Sequence, residues 1–232
     1  MASSTSSAYW RGIRAALPFL LVVAPFGALF GVVGTEAGLN LAQVMGFSVV
    51  IIAGAAQFTA VQLMQEQAPT LIVLASALAV NLRMAMYAAS LAPHLGPAPG
   101  WQRILIAYFN VDGTYALSHM EYEAHPDLSL PQKVAFYMGT ASVICIPWYF
   151  ATWIGAVLGA AIPAELSIDF AVPIAFLSFF APALRTLAHV AAAATAIVLA
   201  ITLQWVPNNL WILLAGAGGM IVGAEVERRR AQ

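Results

Sequence analysis

Two charged side chains stand inside apolar runs of this chain, and they define the chemistry open to it. Arg83 lies in Asn81-Leu82-Arg83-Met84-Ala85-Met86-Tyr87, and Asp112 in Tyr108-Phe109-Asn110-Val111-Asp112-Gly113-Thr114-Tyr115. A charge at the centre of a membrane helix costs about 2.5–3.5 kcal/mol on insertion scales, so it faces a bundle interior or a wet cavity. One reading is that Arg83 and Asp112 pair and fix the packing. The other is that one or both line a translocation path, and the two agree if the pair opens when substrate binds. Gln57, in Gly54-Ala55-Ala56-Gln57-Phe58, also needs a partner in lipid. A carboxylate such as Asp112 suits an ammonium group or a transported proton. A half-helix N-terminus suits a carboxylate. Together they suit a zwitterion.

Composition says what must surround these residues. Of the 232 residues, 62% are hydrophobic and 8% charged, against about 45–50% and 25% in soluble domains. Too few charges are present to cover a soluble fold. The net charge of -1 makes no case for nucleic acid. Cys145, the single cysteine, cannot form an internal disulfide and reads as a small buried apolar residue. Enzyme signatures are missing: no His-Glu-x-x-His, no nucleophile elbow and no Walker lysine loop. His94, His119, His125 and His189 are scattered near proposed span ends, without metal-ligand spacing. We therefore expect no catalytic residue, no metal and no cofactor.

Uncharged runs cover 15–35, 37–65 and 134–164, with a shorter one at 170–184. The run 67–95 holds only Arg83, and about 102–120 carries Asp112. The run 186–224 divides at the turn signal Trp205-Val206-Pro207-Asn208-Asn209. With roughly 20 apolar residues per crossing, the sequence predicts an all-α polytopic membrane bundle of about eight spans, with interrupted helices, and the runs 37–65 and 134–164 are open to broken or re-entrant segments. Residues 1–9 read as a disordered tail, 10–225 as one transmembrane domain and 226–232 as a basic tail. Positive residues favour the cytoplasmic side. Eight spans place Arg11, Arg14, Lys133, Arg185 and Arg228-Arg229-Arg230 together inside, with both termini cytoplasmic. Arg103 alone falls outside. Trp10, Trp101, Trp205 and Trp211 sit near span ends, as interfacial aromatics do.

Helix breaks are expected at Pro25, Gly54 and Pro173, and transporters use such breaks to bind substrate near the midplane. Gly27 and Gly31, Gly155 and Gly159, and Gly219 and Gly223 share the spacing that lets membrane helices approach closely.

The chain resembles the AzlC family. The likeness rests on the Gly54–Phe58 element, on Asn81-Leu82-Arg83 with Tyr87 after it, on Asp112, and on Asp169-Phe170-Ala171-Val172-Pro173 with Phe176. Gly113 and Met84 depart from the pattern, where an acidic residue and a histidine are common. The resemblance implies the large subunit of a branched-chain amino-acid exporter of the bacterial inner membrane. It implies export of Leu, Ile, Val and sometimes Met, with a small AzlD-type membrane subunit as partner. A homo-oligomer is left open, and so is a non-transporting scaffold or assembly subunit. Carried onto this chain, Gln57, Asn81, Arg83 and Asp112 form the polar core, with Asn110 and Tyr87 beside it. The substrate's apolar side chain is then expected among Phe58, Met84, Met86 and Phe109.

Overall fold

Ser4 starts the first helix by accepting a hydrogen bond from the Ser7 N–H at 3.2 Å, so residues 5–9 are helical where a disordered tail is expected. The computed structural model describes residues 4–159, 184, 186–207 and 210–230. Pro173, Pro182 and the whole Asp169–Phe176 element lie outside them, as do Arg185 and Asn208-Asn209. Helix α1 (Thr5–Ala16) passes through one tighter turn, Leu17–Phe19, into α2 (Leu20–Glu36). The tight turn contains Pro18, which lacks the N–H of a regular helical bond. Pro25 does not break the helix: α2 runs straight through it.

Next come α3 (Leu41–Ile51), α4 (Gly54–Gln65), α5 (Thr70–Leu95), α6 (Gly100–Tyr108), α7 (Asp112–Ala124) and α8 (Leu130–Gly159). We number the last two helices α9 (Leu187–Thr202) and α10 (Leu210–Arg230). No strand occurs among the described residues. The Thr5–Glu36 rod, α5, α8 and α10 are each long and apolar enough to cross a membrane. The chain is a helical membrane bundle with interrupted helices.

The described residues pack as two compact units. One draws on residues 1–58 and 80–163, the other on 59–79 and 164–232. In the second unit, Gly219 and Gly223 meet Ala192, while Gly218 meets Leu199. That order makes α9 and α10 antiparallel. The expected basic tail is the last turn of α10, where Arg228 and Arg229 pair with Glu225 at 2.8 and 2.7 Å.

The first unit is built on a glycine seam. Gly12 lies on the Phe136 carbonyl, Gly139 on the Tyr9 carbonyl, Gly31 on the Thr152 carbonyl and Gly155 on the Ala28 carbonyl. Any Cβ at these positions would overlap backbone. Residue numbers rise together on both sides, so the Thr5–Glu36 rod and α8 run parallel.

Two helix pairs fill the space beside this seam, and each is a hairpin. Helix α3 starts with Val44 against Gly34, continues with Ser48 at Thr152, and ends with Ile52 beside Ile144 and Cys145. The chain then turns back. Gly54 meets Trp148, and Phe58 returns to Phe30, which also touches Phe47. Helices α6 and α7 enter from the other end. Ile106 and Tyr122 both pack around Val134 and Tyr137, whereas Gly113 between them reaches Ile144. Both tips therefore meet near the middle of α8. Each arm holds 9–13 residues, about 14–20 Å at 1.5 Å per residue, or roughly half of a 30 Å hydrocarbon core.

Runs 37–65 and 102–120 are thus not full crossings. A run of that length fits one tilted helix or two half-length arms equally well, and only the tertiary contacts distinguish them. Removing two crossings leaves the parity of the chain unchanged, but it moves Arg103. Arg103 lies on α6, which enters at the end of the unit that carries Arg11, Arg14 and Lys133. Trp10 and Trp101 are exposed there too, 56% and 63%. The one basic residue predicted on the wrong side joins the others. In a Cys145→Ala background, Ser7→Cys and Arg103→Cys should react with an impermeant maleimide from the same side, and Glu36→Cys from the other. Eight full crossings would pair Arg103→Cys with Glu36→Cys instead.

Candidate functional site

Helix α7 begins where the second hairpin turns, and Asp112 is its first residue. The turn is closed by Thr114, which is fully buried. Its hydroxyl accepts the Val111 N–H at 2.9 Å and lies 2.8 Å from the Phe109 carbonyl, to which it can donate. The backbone freed by the break is thereby satisfied. The helix N-terminus carries a partial positive charge that favours a carboxylate.

Asp112 uses both carboxylate oxygens. Oδ2 lies 3.0 Å from the Arg83 guanidinium, and Oδ1 accepts the Tyr87 hydroxyl at 2.9 Å. Arg83 and Tyr87 are four residues apart on α5, hence on one face. Asn110, in the turn itself, donates its amide to the Met84 carbonyl at 3.1 Å. The structure therefore brings Arg83, Tyr87, Asn110 and Asp112 together. The Arg83 and Asp112 side chains are 32% and 36% exposed, which leaves the pair reachable by a solute.

Two buried polar atoms at this pair, Asn110 Oδ1 and Arg83 Nε, have no hydrogen-bond partner among the described residues, and neither has Asn81 Oδ1, two residues before Arg83 and therefore on another face of α5. Unpaired polar atoms cost about 1–3 kcal/mol each when buried. Two are acceptors and one is a donor. Acceptors suit an ammonium, and a guanidinium N–H suits a carboxylate.

Gln57 belongs to a separate cluster on the first hairpin. It is fully buried, and its amide donates to the Ser48 hydroxyl at 3.1 Å. Ser48 in turn reaches Thr152 of α8 at 3.2 Å. Gln57 Oε1 has no hydrogen-bond partner among the described residues. The two hairpins touch at their tips. Tyr108 donates its hydroxyl to the Val49 carbonyl at 2.6 Å and lies 3.0 Å from the Tyr149 hydroxyl.

The chain breaks at Ile52 rather than at Gly54. Ile52 is left-handed, with φ 38° and ψ 46°. A β-branched residue in that region is an outlier, and such strain gathers at functional sites. Gly54 has a packing role at the start of α4, since a Cβ there would come within 2.8 Å of the Trp148 ring. The expected apolar pocket does not assemble. Met86 is 71% exposed in line with Leu82, because the i, i+4 spacing puts both on the outward face of α5. Phe58 packs against Phe26 and Phe30, and Phe109 lies against the core at the hairpin tips. Of the four, Met84 reaches the site, through its carbonyl.

Ser48, Thr114, Tyr108, Tyr149 and Thr152 are site or tip residues that sequence reasoning missed. Each is a neutral hydroxyl, common in membrane helices, and only its partner marks it out. The histidines form no metal cluster among the described residues.

A family model described as AzlC protein matches residues 18–162. That stretch contains both hairpins and the Arg83–Asp112 pair. No curated protein sequence and no solved structure matches the chain.

Replacing one member of the pair leaves the other charged and unmatched. Asp112→Asn and Arg83→Gln should each lower stability by about 1–3 kcal/mol. The double variant should recover much of that loss, as a double-mutant cycle of thermal unfolding in detergent would show. Purely additive losses would mean that the two charges are not coupled.

Proposed function

Because this chain belongs to the AzlC family, we propose that it is the large subunit of a branched-chain amino-acid exporter. The observation that carries this reading is the Arg83–Asp112 pair at the meeting point of two half-length hairpins. Discontinuous helices that meet near the midplane are how many secondary transporters hold a substrate. The substrate carboxylate binds Arg83. Its ammonium meets Asp112 and the free oxygen of Asn110. Its aliphatic side chain lies against the apolar residues of the hairpin tips. Leu, Ile and Val are the substrates, with Met as a further one.

Transport is secondary and coupled to protons. Asp112 binds either a proton or the ammonium, so loading one displaces the other. Arg83 is released for the carboxylate when Asp112 is neutralised. The protein works in the bacterial inner membrane with both termini cytoplasmic, so the end bearing Arg11, Arg14, Arg103 and Lys133 is the cytoplasmic end. A small AzlD-type membrane protein is its partner.

Efflux of labelled leucine, valine and methionine from preloaded vesicles tests this reading, with and without the partner. Efflux should require this chain. Arg83→Ala and Asp112→Asn should each reduce it by about 10- to 150-fold, the worth of one charge-assisted hydrogen bond of about 1.5–3 kcal/mol. Arg103→Ala should have little effect. Wild-type efflux in both site variants would favour a scaffold subunit instead.

A further inference from the structure

From Asp112 toward the basic end, the facing surfaces of α5 and α7 carry a line of polar side chains that runs beyond the substrate site. On α5 these are Tyr87, Ser90 and His94, and on α7 Asp112, Tyr115, His119 and Glu123. The steps of three and four residues keep each set on one face. The contacts run from one to the next. Tyr87 donates to Asp112 at 2.9 Å. Its ring stacks on Tyr115 with centroids 4.2 Å apart and planes within 7°. Tyr115 donates its hydroxyl to Ser90 at 3.3 Å, and its ring faces that of His119 at 5.6 Å and 14°. At the far end, His94 lies 3.8 Å from Glu123 and 3.4 Å from the Lys133 ammonium. His119 lies between the two ends, and its Nδ1 is buried without a hydrogen-bond partner among the described residues.

Lipid-facing helices do not accumulate such residues, and packing alone could be met by apolar ones. An imidazole with a free ring nitrogen, placed between a carboxylate and an aqueous end, can take up and pass on a proton. We infer that the α5–α7 seam is the route by which protons pass between Asp112 and the basic end, with His119 as its titrating station. This rests on the exporter reading and adds to it the route of the coupling proton.

The O–H bond of protonated Asp112 breaks and an N–H bond forms on His119, with the hydroxyls of Tyr87, Tyr115 and Ser90 lining the way. The imidazolium then releases its proton to water at the basic end, which restores the neutral ring and leaves Asp112 as the carboxylate. The titratable and charged groups along the seam are Tyr87 and His94 of α5, Tyr115 and Glu123 of α7 and Lys133 of α8, while Arg11 of α1 is paired with Glu121 at 2.8 Å.

The test uses the full chain, with its partner where transport needs it, in proteoliposomes with labelled leucine. Counterflow, with leucine on both sides and no pH gradient, reports substrate binding and passage alone. Efflux driven by a pH gradient, with a trapped pH dye, reports coupling. His119→Phe should cut driven efflux and leucine-evoked proton movement by at least about tenfold, while counterflow stays within about twofold. The pH dependence of driven efflux should flatten. His119→Gln, which keeps a polar side chain of similar length, should behave in the same way if the phenylalanine disturbs folding. Wild-type driven efflux with an unchanged pH profile in His119→Gln would overturn the relay and leave the exporter standing. Absence of any leucine movement by the wild-type protein would remove both.

Discussion

Backbone groups exposed at the middle of a membrane must find partners within the protein, and much of the first unit follows from that constraint. Two helices are interrupted at depth, one at Ile52 and one at Phe109–Val111. Each interruption frees N–H and C=O groups where water is scarce. Thr114 closes one turn and Tyr108 reaches across to the Val49 carbonyl of the other. The tips then bury Ile52, Ile144 and Cys145 together, with Phe109 and Val111 against them. A polar site becomes possible beside the tips because the surrounding backbone is already satisfied.

The glycine seam supplies the fixed frame. Where two helices touch through backbone, neither can slide without opening a void or a clash. The Thr5–Glu36 rod and α8 therefore hold their register, and the hairpins pack against them. The left-handed Ile52 stores energy at one tip, and strain of this kind persists only where the surroundings over-determine it. The two hairpins meet beside these rods, and the Tyr108–Val49 bond ties one tip to the other.

Much of the site was legible in the sequence, and much of the path of the chain was not. Arg83 and Asp112 announce themselves because the membrane excludes charge, so their presence in apolar runs has few explanations. Their pairing was among the readings open from sequence. One hairpin was partly legible, since the long run 37–65 is open to a re-entrant segment, but the run 102–120 has the length of a single crossing and hides the other. The loudest break signals also misled. Pro25 sits in an unbroken helix, since neighbouring helices can tolerate a missing hydrogen bond. The break at Ile52 has no proline or glycine at the turning residue. Arg103 is an exception to the charge rule only if the run 37–65 is a full crossing. The Tyr87–Tyr115–His119 stack could not be read at all, because it joins two helices whose register only the fold sets.

The depth of the hairpin tips has an electrical consequence. Asp112 lies beside the midpoint of α8, so about half of any voltage across the membrane falls between it and either surface. A full crossing is worth about 2.3 kcal/mol per elementary charge at 100 mV, and half of one about 1.2 kcal/mol. In the proposed exporter, a proton that arrives from the positive side would gain that amount on reaching Asp112, and as much again on leaving toward the negative side. The cell's membrane potential then acts on the occupancy of one carboxylate, and the energised bilayer becomes part of what sets its affinity.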